Sequence, residues 1–377
     1  MDFDLSDDQK MLRDQAIRLV ENRVGPGVLR ALVDDGKIWD KRLFNEMAEL
    51  GFFGITTPED YGGLGLTELD LGVVAEGLGR GPVPVPFSSS VCLAAEAIRL
   101  GGTELQKERW LPALAAGEII GTLALHDEVA ALNRAPVMTR FEGGAVTGTK
   151  SPVPDAALAQ IVVVAAQSET GSVMAVVEVD APGVSATLLR GMDVLRSHSR
   201  LSFSRAPAEA LAGEGSADLL ERLLQRAAIY IAFEQIGGAD CCLEMARRYA
   251  LERRVFGQPI GTYQAIKHKL ADMFTEIEIA RSNAFFAAWA ADASIHDLPA
   301  AAAGARLTAT EAYRFAAEEN IHIHGGIGYT WEGDCQFHHA RARLLALSLG
   351  GTEYWSDRLI GELATGWLGT SNLQSIR

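Results

Sequence analysis

Along the first third of the chain, apolar residues recur at helical spacing. Ser6 precedes Asp7 and Asp8 at a predicted helix start, and Met11, Leu12, Ile17, Leu19 and Val20 supply an apolar face. Asp40 is placed to cap a helix that ends at Gly51, and further helices fit residues 68–79, 87–100 and 103–117. Residues 56–66, TTPEDYGGLGL, carry loop chemistry. The pattern then changes. Segments 135–149, 159–166, 173–180, 184–190 and 199–204 are short, rich in Val, Thr and Ala, and bounded by Gly, Pro, Asp or Ser. They predict an antiparallel β domain. From Ser216 the helical spacing returns. Residues 216–254 contain no proline and predict one very long helix, followed by helices over 262–294, 299–322, 334–346 and 352–365. The expected fold is α+β and multidomain. An N-terminal all-α domain (1–120) precedes a middle antiparallel β domain (121–212) and a C-terminal four-helix bundle (213–377).

Composition narrows the class. A chain of 377 residues is long for one domain, and 48% hydrophobic with 22% charged residues is ordinary for a globular protein. The net charge of -15 argues against nucleic acid or an anionic membrane as partner. An anionic ligand would need positive groups concentrated locally. The four cysteines, Cys92, Cys241, Cys242 and Cys335, form no CxxC and read as reduced, mostly buried thiols of a cytoplasmic protein. The acidic start, MDFDLSDDQK, is unlike a signal peptide, and no uncharged apolar run is long enough to span a bilayer. The eight histidines show no metal-ligand spacing, so no metal site is expected. His338 and His339 are expected on an exposed or interfacial helix face.

Residues 252–273, ERRVFGQPIGTYQAIKHKLADM, interrupt the bundle. Gly257 and Pro259 stop one helix, Thr262 is placed to cap the next, and Ile266, Leu270, Met273 and Phe274 resume the apolar spacing. Arg253 then stands at a helix C-terminus beside a turn, where its planar fork can grip a phosphate. The competing reading is a helical hairpin with a surface arginine. A second string, IHGGIGYTWE, occupies residues 323–332.

Together the two strings resemble the signature of the acyl-CoA dehydrogenase family. Arg253, Phe256, Gly257, Pro259, Gln264, Leu270, Ala271, Asp272 and Met273 stand at its pattern positions. Chain length and segment order extend the resemblance to nearly all residues. It implies FAD as cofactor and α,β-desaturation of an acyl-CoA thioester. That reaction needs an α-proton base, a polarised thioester carbonyl and a flavin to take the hydride. It also implies that Arg253, Phe256 and Gln264 hold the FAD of a neighbouring subunit. Gly325 and Gly326 would let backbone approach it, or would form the turn that ends helix 299–322.

Other positions depart from the family pattern. Where the family carries Thr-Glu-Pro and a Gly-Ser-Asp loop, residues 123–136 read LALHDEVAALNRAP. His126 could bond a flavin or a thioester. Asp127 or Glu128 could serve as an acid, although a solvated acidic turn is favoured. The family's Tyr-Glu-Gly-Thr base loop is here SLGGTEYW, residues 348–355, which places Gly350 or Leu349 at the base. The base position of a second family subset falls on Ala227. Glu234 lies two turns past Ala227, about 10 Å along the helix, and Glu353 lies three residues past Gly350. Both are expected to be structural or surface carboxylates, so no catalytic residue is assigned.

The resemblance is therefore to the base-lacking subunit of bacterial heteromeric acyl-CoA dehydrogenases that act on steroid-derived or bulky thioesters. It implies a Glu-bearing partner chain in an α2β2 tetramer and an electron-transfer acceptor. One implication is that FAD is bound only at the interface with the partner. Three alternatives stay open. They are a self-sufficient homotetramer using Glu234, Glu353 or Asp127, a flavin monooxygenase, and a non-enzymatic scaffold.

Overall fold

The computed structural model describes residues 4–128, 137–211, 216–293 and 296–368. Helices α1 (Asp7–Arg23), α2 (Pro26–Asp34), α3 (Lys41–Glu49) and α4 (Glu68–Gly79) come first. A π-helical stretch, Ser89–Ala95, runs into α5 (Glu96–Gly101), and α6 (Glu104–Ala115) follows. The strands are β1 (Gly121–Ala124), β2 (Arg140–Glu142), β3 (Ala145–Pro154), β4 (Ile161–Ser168), β5 (Gly171–Glu178), β6 (Val184–Leu189), β7 (His198–Pro207) and β8 (Glu209–Ala210). The long helix α7 (Ser216–Glu252) leads into a small hairpin of β9 (Arg254–Val255) and β10 (Gln258–Pro259). Helices α8 (Gln264–Ala293), α9 (Leu298–His324), α10 (Cys335–Leu347) and α11 (Thr352–Leu368) complete the chain. This is the helix–β–helix order that the apolar pattern predicts.

Local chemistry sets the helix starts. Ser6 and Gln9 close a capping box on α1, Asp40 accepts from the amides of Arg42 and Leu43 at 2.9 and 3.0 Å, and Thr103 and Gln106 close a second box on α6. Thr262 is a correction. It lies in a 3₁₀ turn and donates to the Pro259 carbonyl at 2.7 Å, so it does not cap α8. Met11 is another: the buried stripe of α1 holds Ala16 and Val20, and Met11 faces solvent.

The chain forms two compact units. One comprises Pro26–Leu71 and Val83–Ala227. Its sheet runs β6-β7-β3-β2-β4-β5-β8, with β1 also paired to β4. The described pairs are antiparallel except for β1 and β2, which both run parallel to β4. Val146, Val153, Val162, Val164, Leu201 and Phe203 centre its core. All four residues of β1 are buried, so the strand lacks the polar alternation by which strands are recognised in a sequence.

The other unit comprises Met1–Gly25, Gly72–Pro82 and Ala228–Arg377. Here α9 packs against α8, α10 and α11. Alanines at 280, 284, 287 and 288 of α8 and at 302, 305, 309, 312 and 316 of α9 are all buried, which allows close helix approach. Several of this unit's buried polar groups are paired. Glu234 takes an Arg341 hydrogen bond at 3.3 Å, and Tyr313 Oη lies 3.0 Å from His338 Nδ1. His338 is thus in the core rather than on an exposed face, because Tyr313 satisfies its ring. His339 is half-buried, and burial lowers its pKa. The four cysteines are free, and burial pushes the thiol pKa up to about 11 at Cys241 and about 12 at Cys335.

Candidate functional site

At the C-terminus of α7 the Arg253 amide donates to the Tyr249 carbonyl at 2.8 Å, and the Ile260 amide donates back to the Arg253 carbonyl at 2.8 Å. Val255 pairs with Gln258, so Phe256 and Gly257 form the two-residue hairpin turn. Both have left-handed backbone, φ +52° and +82°. That is the geometry of a type I′ turn, in which glycine is comfortable and phenylalanine is not. Phe256 is 95% exposed. A strained turn that holds a phenylalanine out in solvent has no stability rationale. Arg253 is exposed, and its guanidinium has no bond among the described residues. Gln264, the first residue of α8, is also exposed. Phe274, expected to continue the apolar face, is 56% exposed.

The second string begins where α9 stops. Gly325 has φ +64° and ends the helix by donating its amide to the Ile321 and His322 carbonyls. A Cβ on Gly325 or on Gly326 would meet nothing within 4 Å. Gly325 therefore forms the turn that ends α9, and the space beside both glycines is open. The two strings meet through an aromatic stack: the Tyr249 and His324 rings lie 4.3 Å apart and 27° from parallel. Arg253, Phe256 and Gln264 thus share one end of the helical unit with Gly325 and Gly326.

The 348–352 loop is built differently. Leu349 is buried with φ +56°, and Gly350 has φ +100°. A Cβ on Gly350 would lie 2.5 Å from Tyr354 Cδ1. Tyr354 and Trp355 are buried, and the Arg358 guanidinium sits 4.7 Å over the Tyr354 ring. Arg306, a residue the apolar pattern gives no reason to single out, clamps the approach to this loop. Fully buried, it donates to Gln235 Oε1 at 2.8 Å, to Thr310 Oγ1, to the Leu345 carbonyl, and to the Ser348 carbonyl at 3.0 Å. The last two lie at the C-terminus of α10, where unpaired carbonyls favour a cation. Burial pulls the Arg306 pKa down to about 9, which leaves it charged at neutral pH. The one available signal was a lone arginine inside the alanine-rich run 300–309.

The remaining candidates are fixed by neighbours or exposed. Ala227 and Glu234 are buried, Glu234 against Arg341, and Glu353 is exposed at the start of α11. Asp127 is not in a solvated turn. It is buried 3.1 Å from Lys150 Nζ, and it accepts from Thr139 Oγ1 at 2.6 Å and from the Met138 amide at 2.8 Å. Burial alone would raise its pKa, but those hydrogen bonds and the Lys150 cation outweigh it and hold the carboxyl below its ordinary range. Glu128 is exposed and pairs with Arg200. Lys150 also donates to the Leu125 carbonyl at 3.0 Å, and the Ser151 amide donates to the His126 carbonyl at 2.9 Å. Burial, then the Lys150 charge, lowers the His126 pKa and favours the neutral ring. Residues 129–136, the remainder of that string, lie outside the described residues.

Comparison with known proteins agrees with this architecture. Residues 6–118 match the acyl-CoA dehydrogenase N-terminal domain, and residues 213–362 match the acyl-CoA dehydrogenase C-terminal domain. The chain is 31% identical over 375 residues to the probable acyl-CoA dehydrogenase YngJ of Bacillus subtilis, covering 94% of this chain and 97% of that protein. The solved ChsE4-ChsE5 complex of Mycobacterium tuberculosis contains a similar chain, with TM-score 0.89 and 27% identity over 97% of this chain and 99% of that one. A steroid acyl-CoA dehydrogenase variant, Tcur3481-Tcur3483, is similar at TM-score 0.88 and 30% identity over 95% and 98%.

The chain belongs to the acyl-CoA dehydrogenase family of oxidoreductases. FAD is the cofactor. The α7–α8 turn and the α9 terminus fit such a group. They offer a guanidinium without a bond among the described residues for phosphate, an exposed aromatic for a flat ring, and a glycine turn with open space beside it. Among the described residues, no helix is long and apolar enough to cross a membrane.

Proposed function

We propose that this chain is the base-lacking subunit of an FAD-dependent acyl-CoA dehydrogenase, working in an α2β2 tetramer with a Glu-bearing partner of the same family. One observation carries the reading. At Gly350 the backbone is at φ +100° and the place for a side chain is filled by Tyr354, so this position has neither the conformation nor the room for a glutamate. Leu349 and Ala227 are apolar and buried. The substitute carboxylates are committed elsewhere or exposed. Arg341 holds Glu234, Lys150 and two further donors hold Asp127, and Glu353 faces solvent.

Arg253, Phe256, Gln264, Gly325 and Gly326 hold the dinucleotide of a neighbouring subunit. Arg253 neutralises phosphate, and the glycines admit backbone amides to it. Bound FAD supplies the hydride acceptor for α,β-desaturation. The partner supplies the α-proton base. The chain divides for this purpose into a helical domain (1–120), a β domain (121–212) and a bundle (213–377). The heteromeric ChsE4-ChsE5 and steroid Tcur3481-Tcur3483 relatives support a steroid-derived or similarly bulky acyl-CoA as substrate. Electrons then pass to an electron-transfer acceptor in the cytoplasm.

The test is flavin content and turnover, measured on the chain alone and on the chain co-expressed with a Glu-bearing family member. Little of either is expected alone, with both restored by the partner. Full FAD occupancy and turnover by the single purified chain would overturn the proposal. Gly350→Glu is expected to create no activity.

A further inference from the structure

The strand order of the large sheet ends in two unlike edges. At one end stands β8, two residues long and carrying Glu209, which Arg109 holds at 2.9 Å. Shortness and charge are common protections of an open strand edge. At the other end stands β6, Val184–Leu189, which pairs with β7 over all six residues without a bulge. Its sequence, VSATLL, holds no charge, no proline and no glycine. Among the described residues no strand pairs with its outer edge.

The backbone decides which groups that edge presents. The Ser204 amide donates to the Gly183 carbonyl at 2.8 Å, and the β6 to β7 register continues that pairing. Antiparallel pairs alternate, so Ser185, Thr187 and Leu189 turn their amides and carbonyls toward β7. Val184, Ala186 and Leu188 turn theirs outward, and of these the Val184 amide is taken by the Ala181 carbonyl at 3.2 Å. Side chains alternate as well. Val184, Ala186 and Leu188 stand opposite Phe203, Leu201 and Ser199, on the face that holds the core residues Leu201 and Phe203. Leu188 is nonetheless 53% exposed, and Ala186 is exposed. The apolar face of the sheet therefore runs out past its cover at this edge.

We infer that β6 is an interaction surface for a second copy of this chain, joined edge to edge as an antiparallel pair. The strand is complementary to itself. About a two-fold axis through Ala186, the outward groups of Ala186 meet those of the copy's Ala186, and those of Leu188 meet those of Val184. On the core face Leu188 then lies against Val184, and on the other face Ser185 lies against Thr187. Apolar meets apolar, hydroxyl meets hydroxyl, and the strand has no charge to repel its copy. The axis also keeps both core faces on one side, so the apolar layer continues from one sheet into the next. At a net charge of -15 whole chains repel at long range, so added salt should strengthen the pairing. The inference does not depend on which chain supplies the base.

The test is sedimentation of the assembled protein, with whatever chains accompany it, over a range of concentration and salt. The wild type should reach a heavier species than Ala186→Pro, and more of it as salt is raised. Ala186→Pro removes an amide that β7 does not use, so the sheet should stay intact while the pairing weakens about tenfold or more. Leu188→Lys should act in the same way and serves if the proline variant does not fold. Thr187→Ser keeps the hydroxyl and should associate like the wild type. Melting should be the same for the wild type and Leu188→Lys. A second readout fixes the register. Ala186→Cys places two thiols on the axis and should give a disulfide-linked dimer of this chain on mild oxidation, whereas Thr187→Cys should give none. Equal mass for the wild type, Ala186→Pro and Leu188→Lys at every concentration overturns the inference. So does a loss of mass confined to mixtures with a Glu-bearing family member, which would make the edge a site for that chain instead.

Discussion

Two loops of the helical unit begin alike and end differently. Each follows the end of a helix, α9 at His324 and α10 at Leu347, and each contains a glycine at positive φ. Beside Gly325 and Gly326 there is open space, whereas beside Gly350 there is a tyrosine ring. The arginine near the first loop, Arg253, is exposed and without a partner among the described residues. The arginine near the second, Arg306, is buried with four acceptors. Residue type alone does not distinguish a ligand cradle from a closed structural turn. What decides is whether the polar groups are already satisfied and whether the space beside the glycine is already filled. The first loop leaves the space beside its glycines open, and the second is closed by its own residues.

The strongest test concerns a third region, residues 125–128, within the string that departs from the family's Thr-Glu-Pro pattern. If the Asp127–Lys150 pair is structural closure, it behaves like the Arg306 loop. Asp127→Asn leaves a buried ammonium without its anion and should cost about 3–5 kcal/mol, read from a denaturant midpoint, with FAD affinity unmoved. The pH dependence follows from the depressed Asp127 pKa. The stabilisation is fully present above the unfolded value of about 3.9 and is lost as pH falls through the lower folded value. The gap between wild type and Asp127→Asn should therefore narrow below about pH 4, and a constant gap would show that the carboxylate charge is not what matters.

Arg306→Met should cost about 3 kcal/mol, because it removes the charged donor shared by the Leu345 and Ser348 carbonyls and the Gln235 oxygen. A wild-type midpoint would remove the clamp from the comparison. Gly350→Ala should cost about 2 kcal/mol, from the φ +100° backbone and overlap with Tyr354. In a Tyr354→Ala background part of that cost should vanish, and a cycle showing simple additivity would mean that Tyr354 is not the obstacle.

The two ends were unequally legible in the sequence. Long helices declared themselves by period and caps, as at Ser6, Asp40 and the proline-free stretch that became α7. Strand β1 did not, since burial on both faces erases alternation. The glycines, the arginines and the missing glutamate could all be read from the string. Whether a glycine faces space or a ring could not, because that depends on Tyr354 and on where α9 stops. The Asp127–Lys150 pair spans 23 positions and a strand pairing, and the Tyr249–His324 stack spans 75. Neither has a local signature, so the sequence alone left Asp127 looking like a surface acid.

The smallest predicted effect cuts most directly between the two loops. Phe256 holds a left-handed backbone, φ +52°, and is 95% exposed, so it contributes strain and almost no burial. Glycine adopts that conformation freely. Phe256→Gly should therefore leave the protein slightly more stable, by about 1 kcal/mol, even though it deletes a large apolar side chain. If this loop is a cradle, the same change should weaken FAD by removing the aromatic surface. Stability and cofactor affinity would then move in opposite directions, the signature of a residue kept for a ligand. At Gly350 they should not, because there the strain is already carried by glycine and the space is already filled. A Phe256→Gly protein that is less stable and binds FAD normally would make the first loop a structural turn like the second.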